Sequence, residues 1–391
     1  MSVNNSLSAD LFCSLLMSNK IMSALQIRRL LDKLKIKSLL DFFTERESIL
    51  SKVNLTVDQF EKWEKFKELP AHTRHSEYAE YVQNKNITSV NILDPDYPEY
   101  LKSLNNMPLI LYMRGDPQLL SKQKSRISIV GTRRPSSYGR KVTREFSREL
   151  AMHEVVIVSG LARGVDGIAH SACLEAGGKT IAVLPCGLDM VYPPDHMDLF
   201  HEIARNGLLL SELPPSAKAI RQYFPARNRI LSALSDCVLI TEAGEKSGTL
   251  HTASFAAAQG KEVFVVPNTI YSDTGKGNLA LMKDGAMIAT EPEDILTFLA
   301  GAVFFREIDE IKDEWKMKKL KEKISQDPDL LESSEVRMLI TEVLMSQELR
   351  ADEISKETEL PYTKVITELG RMEIEGQVVS ENQKYILTIR L

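Results

Sequence analysis

The chain has 391 residues, more than one ordinary domain accommodates, which predicts two or three domains. Hydrophobic residues make up 43% and charged ones 26%, an ordinary globular composition, and the net charge of −5 excludes a histone-like cationic coat. The N-terminal string MSVNNSLSADLFCSLLMSN lacks a basic segment, and no stretch approaches the ~20 apolar residues that cross a bilayer, so the chain is expected to be cytoplasmic with no membrane partner.

In chain order, residues 1–87 read as a helical module, with Leu11, Leu15 and Leu16, then Ile27, Leu30, Leu31 and Leu34, at helical spacing. Residues 88–120 hold one strand, over 109–113. From Ser125 strand and helix alternate: strands over 127–130, 155–158, 180–184, 237–241, 262–266 and 287–289, and helices over 138–153, near 166–175, near 195–205 and over 249–259. The strands are apolar on both faces and their connections contain helices, which predicts a mainly parallel sheet covered on both sides. The fold class is α/β, a doubly wound Rossmann-like domain over 88–300. Residues 301–329 form a charge-rich linker. Residues 330–391 read as three helices and a two-stranded ribbon, the winged-helix order.

Ligands of open parallel sheets bind beyond the carboxyl ends of the strands, and four of those ends carry distinctive residues. The first ends in Gly131-Thr132-Arg133-Arg134-Pro135-Ser136, which is not G-x-G-x-x-G and so lacks a dinucleotide fingerprint. A glycine followed by two arginines suits a phosphodiester. The second ends in Ser159-Gly160-Leu161-Ala162-Arg163-Gly164-Val165-Asp166-Gly167, whose glycines allow a ligand close to the backbone. Asp166 is expected to cap the next helix, as is Asp195 after Pro193-Pro194. His170 is expected to be a packed core histidine and Cys186 a structural thiol. Cys13, Cys173, Cys186 and Cys237 form no C-x-x-C pair, which predicts reduced, mostly buried thiols and neither a zinc site nor disulfides.

The most informative stretch is FPARNRILSALSDCVLITEAGEKSGTLHTA, residues 224–253. A strand, then Gly244 to Thr249, then a helix is the order that places backbone N–H groups around an anion, with Lys246, Ser247, Gly248 and Thr249 as its cradle. Upstream, Arg221, Phe224, Arg227 and Arg229 interleave an aromatic ring with arginines, which offers base stacking and phosphate pairing together. Glu212 and Glu242, near strand ends, are the candidate acids for an enzyme; neither has an evident partner, and both are read as structural.

Six strings, SIVGTRRPSSYG, VSGLARGVDGIAH, LPCGLDMVYPPDH, FPARNRILSALSD, EAGEKSGTLHTA and GNLALMKDGA, together resemble the DNA processing protein A (DprA/Smf) family, in the family's order over roughly residues 90–295. The resemblance implies an extended Rossmann-like fold that binds single-stranded DNA, forms a homodimer and delivers the DNA to the RecA recombinase during natural transformation. It implies no cofactor and no catalysis. Carried over to this sequence, the motif arginines are Arg133 and Arg134, the basic residue before the motif phenylalanine is Arg221, the stacking ring is Phe224, and Lys246 to Thr249 is the phosphate-cradling segment. Asn268 stands where the family usually has glycine, and left-handed backbone there would keep the turn. The N-terminal module fits a SAM- or helix-hairpin-helix-like unit, but Met17-Ser18-Asn19-Lys20 supplies no hairpin glycine.

A competing resemblance is to the nucleoside monophosphate phosphoribohydrolases, whose loop reads P-G-G-x-G-T followed by acids. Here Glu242-Ala243-Gly244 replaces its start and His251-Thr252 follows, which argues against hydrolysis. A transcription-regulator reading rests on the tail alone. Its recognition-helix candidate, 362–375, sets Lys364 and Arg371 against Glu368, Glu373 and Glu375, a surface that suits a partner better than duplex DNA.

Overall fold

The computed structural model describes residues 80–301 except 105 and 122, residues 333–387 except 347, 348, 375, 376, 382 and 383, and scattered residues between 10 and 62. The linker expected over 301–329, apart from Gly301, and most of the 17–20 turn lie outside the described residues. The chain divides into two compact units, Met1–Gly301 and Ala302–Leu391.

A nine-stranded sheet forms the first unit: β1 (Thr88–Asn91), β2 (Ile110–Gly115), β3 (Arg126–Val130), β4 (Val156–Ser159), β5 (Thr180–Val183), β6 (Leu208–Ser211), β7 (Cys237–Ile240), β8 (Glu262–Val265) and β9 (Met287–Ile288). The order across the sheet is β1-β2-β6-β5-β4-β3-β7-β8-β9. From β6 to β9 neighbours run parallel, while β2 is antiparallel to β6 and β1 to β2. The mainly parallel, doubly wound sheet is therefore present, with two strands, β1 and β6, that the alternation does not single out.

Helices α1 (Ser137–Met152), α2 (Val165–Glu175), α3 (Met197–Asn206), α4 (Tyr223–Leu234), α5 (Thr249–Ala258) and α6 (Lys276–Lys283) connect the strands. Strand alternation sorts the core. Ile127 and Ile129 of β3 pack with Phe146 and Leu150 of α1 and Cys173 of α2. Val130 joins the cluster of Ile230 and Leu231, and the Ser128 hydroxyl donates to the Leu231 carbonyl of α4 at 2.8 Å. Every residue of β3, β4, β5 and β7 is buried, as a sheet covered on both faces requires. Among the described residues, Phe12, Leu16, Ile27 and Leu31 share a core with Leu101, Tyr112 and Leu209, on both sides of residue 87. All four cysteines are buried, and burial pushes the Cys186 thiol up to about 12. No described helix is long and apolar enough to cross a membrane.

The chain runs β3, β4, β5, β6 outward on one side of β3 and returns to the other side with β7. That reversal opens a crevice beyond the carboxyl ends of β3 and β7, the place where such sheets bind ligands.

In the second unit α7 (Ser333–Ser346), α8 (Ala351–Thr358) and α9 (Tyr362–Ile374) precede an antiparallel pair, β10 (Val378–Glu381) and β11 (Lys384–Leu387). Ile340, Ile354, Val365, Leu369 and Val378 form its core. Glu368 corrects the reading of an acidic α9 surface. It is buried, and its carboxylate accepts from Arg337 at 2.7 and 2.8 Å, from the Ser333 hydroxyl and from Arg371 at 3.4 Å. Glu375 lies outside the described residues.

His170 is a packed core histidine, as expected. Its Nε2 accepts from the Leu161 N–H at 3.3 Å, so the proton sits on Nδ1, which donates to the Thr180 hydroxyl at 2.6 Å. Burial, with His196 and Arg227 nearby, pushes its pKa down to about 3 from an ordinary 6.5. The unfolded chain therefore takes up a proton near pH 6.5 that the folded one refuses. This contribution to stability is complete above that pH and is lost as pH falls toward 3. Between pH 6.5 and 5 the loss is about 1.6 kcal/mol, because the unfolded histidine is already half protonated at the upper pH. Urea unfolding at both pH values is expected to give His170→Gln a pH dependence shallower by about that amount; equal dependence in both proteins would refute the assignment.

Candidate nucleic-acid interface

The crevice is built from three turns and one helix start. After β3, Gly131 to Ser136 lead into α1, where the Ser136 hydroxyl caps the helix by accepting from the Gly139 N–H at 3.1 Å. After β4, Gly164 takes a left-handed φ of 81° and packs against the Thr132 carbonyl, which accepts the Val165 N–H at 3.2 Å. After β7, the Glu242 carbonyl accepts the Thr132 N–H at 2.7 Å. The fourth part is the first turn of α4, which carries Phe224.

Glu242 is fully buried and structural, as read. One carboxylate oxygen accepts the Ser136 N–H at 2.7 Å and the other accepts from the Thr274 hydroxyl. A single carboxylate thus fastens the β3 turn to the loop after β8. Glu212 is committed as well, in a bidentate pair with Arg229 at 2.5 and 2.9 Å.

Between these parts lies a cleft of about 310 Å³ lined by Gly131, Arg133, Phe224, Asn228 and the Ser247–Thr249 segment, with Asp166 and Arg227 among its deeper residues. Arg133 is exposed, and its guanidinium carbon stands over the Phe224 ring, 5.0 Å from the centroid. Tyr192 meets the same ring edge-on at 5.4 Å. That meeting is not legible in the sequence, where Tyr192 marks only a rigid Pro-Pro loop. Lys246 is exposed, and so is Arg221, in the turn ahead of α4. Arg134 is also exposed but faces a neighbouring groove. The structure brings Arg133, Phe224, Ser247, Gly248 and Thr249 to one cleft.

The Ser247–Thr249 segment is less open than an empty cradle. The Ser247 hydroxyl accepts the Thr249 N–H at 3.2 Å, and the Ser247 carbonyl accepts the Leu250 N–H at 3.1 Å. Ser247 itself has taken these two donors at the start of α5.

Four of the sequence-derived positions play other parts. Arg227 is 5% exposed and donates to the carbonyls of Gly160, at 2.8 Å, and Val183. Burial pushes its pKa down to about 10, which leaves it charged. A Cβ on Gly160 would meet the Arg227 guanidinium at 2.3 Å, so this glycine admits a side chain of the protein, not a ligand. Arg229 is 7% exposed and, beyond Glu212, donates to the Asn106 carbonyl at 2.6 Å. Arg163 is exposed and held bidentately by Asp195 at 2.7 and 2.8 Å.

Neither aspartate is a helix cap. Gly164 occupies the N-cap of α2 and His196 that of α3. Asp166 lies in the first turn of α2, where its carboxylate accepts the Ala162 N–H at 3.4 Å. Burial raises the Asp166 pKa while the charge of Arg227 pulls it back. Asn268 is not left-handed either: its side-chain oxygen accepts the Thr269 N–H at 2.8 Å and so builds the turn without that geometry.

The profile of the DNA recombination-mediator protein A family matches residues 88–300. The DNA processing protein DprA of Bacillus subtilis is 41% identical over 213 residues, 54% of this chain and 71% of that protein. The crystal structure of DNA processing protein A from Streptococcus pneumoniae aligns with a TM-score of 0.52 at 36% identity, over 58% of this chain and 80% of that one. A structure of DNA processing protein A from Helicobacter pylori, concerned with its single-stranded DNA binding mode, aligns with a TM-score of 0.50 at 36% identity, over 55% of this chain and 96% of that one.

The burial of Arg227 separates a scaffold role from ligand binding. Arg227→Met strips two buried carbonyls of their donor and leaves Asp166 without its counter-charge, and is expected to cost about 3–5 kcal/mol of stability. Arg221→Gln, at an exposed turn, is expected to cost less than about 0.5 kcal/mol. Chemical denaturation of both variants checks the contrast, and equal stabilities would place Arg227 among the ligand-binding residues after all.

Proposed function

The chain belongs to the DNA recombination-mediator protein A family, and on that footing we propose that its cleft binds single-stranded DNA with little sequence preference. The bound strand is passed to the RecA recombinase during DNA uptake and recombination, in the cytoplasm and by a homodimer. The observation that carries this reading is the Arg133 guanidinium over the Phe224 ring at the cleft wall, 5.0 Å from its centroid. A ring already paired with a cation at such a distance is a stacking surface with a phosphate-binding group attached. Every base has a π-face, so such a site tolerates sequence. A duplex buries those faces in its own stack and cannot offer them to Phe224.

The family match and the subject of the Helicobacter pylori structure support the same substrate class. The tail unit, with three helices before a hairpin, is proposed to be a winged helix that binds a partner. Catalysis is not part of the proposal. The two acids that hydrolysis would need, Glu212 and Glu242, are held by Arg229 and by Ser136 and Thr274.

Mobility-shift titrations are expected to show tighter binding of single strands than of duplex. Phe224→Ala is expected to weaken that binding by about 1–3 kcal/mol, the value of one stacked base. Arg133→Ala should flatten the log–log salt dependence by about 0.7 for each phosphate it no longer neutralises. The double variant is expected to cost less than the sum of the two, because each single change already breaks the Arg133–Phe224 pair. Equal affinity for both DNA forms would sink the reading. Release of free base from AMP, abolished in Glu242→Gln, would move the protein to the hydrolase class.

A further inference from the structure

Arg133 also lines a second cleft, of about 720 Å³, on the other side of the β3 turn. One wall of this cleft is basic. It runs from Arg133 and Arg134 to Arg140 and Arg144 on α1, the last two a helical turn apart and on one face. The opposite wall carries Asp198 and Glu202, likewise four residues apart, on α3.

We propose that this second cleft continues the single-strand track, its arginine wall taking the phosphates on one side of the nucleotide stacked at Phe224. The proposal rests on the single-strand reading of the first cleft. Three observations carry it. The two clefts share Arg133, so a strand leaving Phe224 meets the arginine wall without a neutral gap. Arg140 to Arg144 advances about 6 Å along the helix axis, a step that an extended strand can follow from phosphate to phosphate.

The third observation is that the existing partners of this wall are exchangeable. Arg140 donates to the Pro135 carbonyl at 2.7 Å, and Arg144 pairs with Glu175 at 2.5 Å with both side chains more than half exposed. Exposed ion pairs of that kind are weak and yield to a phosphate. The acidic wall gives the cleft polarity. It confines phosphates to the arginine side, and a duplex, with two phosphate rows, would bring one of them against Asp198 and Glu202.

The test uses the full chain and two oligonucleotides, of two deoxynucleotides, too short to reach α1 from Phe224, and of twenty, in anisotropy titrations across salt. The variant R140Q/R144Q is expected to bind the long strand more weakly, with the log–log salt slope reduced by about 1.4, the value of two phosphates left to their counterions. Its affinity for the short strand should stay as in the wild type. R140K/R144K, which keeps the charge, should restore the long-strand slope. An unchanged slope in R140Q/R144Q, while Arg133→Ala weakens both strands, overturns the second cleft and leaves the first standing. Failure of Arg133→Ala to weaken either strand overturns the reading of the first cleft instead.

Discussion

The architecture of the cleft depends on one guanidinium buried where three elements meet. Arg227 joins α4 to the carbonyl ends of β4 and β5, through Gly160 and Val183, with Asp166 close enough to offset its charge. Buried charge is expensive unless it is paired and hydrogen-bonded, and the last carbonyls of parallel strands are ready acceptors for it. Phe224 precedes Arg227 by three residues, so the ring's position on the first turn of α4 is set by that anchor. Glu242 does the converse on the other side of the crevice, where a buried carboxylate gathers an N–H and a hydroxyl from two loops. A cation that collects carbonyls and an anion that collects donors thus bracket the crevice, and the turns between them have little freedom.

Much of the fold is legible because buried parallel strands are written as short, mainly apolar runs: CVLI is wholly apolar, VIVS is apolar up to its last residue, and in RISIV the apolar positions outnumber Arg126 and Ser128. LLLS of β6 is no less apolar. It escapes the pattern because the proline-containing stretch over 212–222 separates it from α4, so no helix follows it directly. β1, with the sequence TSVN, offers almost no apolar signal and gains its place by pairing with β2.

The site is legible as a set of chemistries and not as a set of exposures. Arg227 and Arg229 look in sequence like their neighbour Arg221, yet only Arg221 is exposed. Two residues apart on a helix point to different sides, which sends one guanidinium to the strand ends and the other to Glu212 and Asn106. The same ambiguity affects the glycines. Room at Gly160 reads in sequence as room for a ligand, and it is filled by Arg227. Polar residues near a strand end report that something is held there, while the identity of what is held depends on packing that no local spacing encodes.

The position of Arg133 has a consequence for how the two clefts communicate. A side chain that forms part of both walls and leans on Phe224 cannot adjust to an occupant on one side without altering the charge presented on the other. The clefts are therefore thermodynamically linked through a single torsional choice. Such linkage is reciprocal: whatever factor an occupant of one cleft applies to affinity in the other is returned in equal measure. Any group that pairs with Arg133 from the second cleft thereby alters the charge that the first presents beside Phe224, with no movement of the sheet beneath.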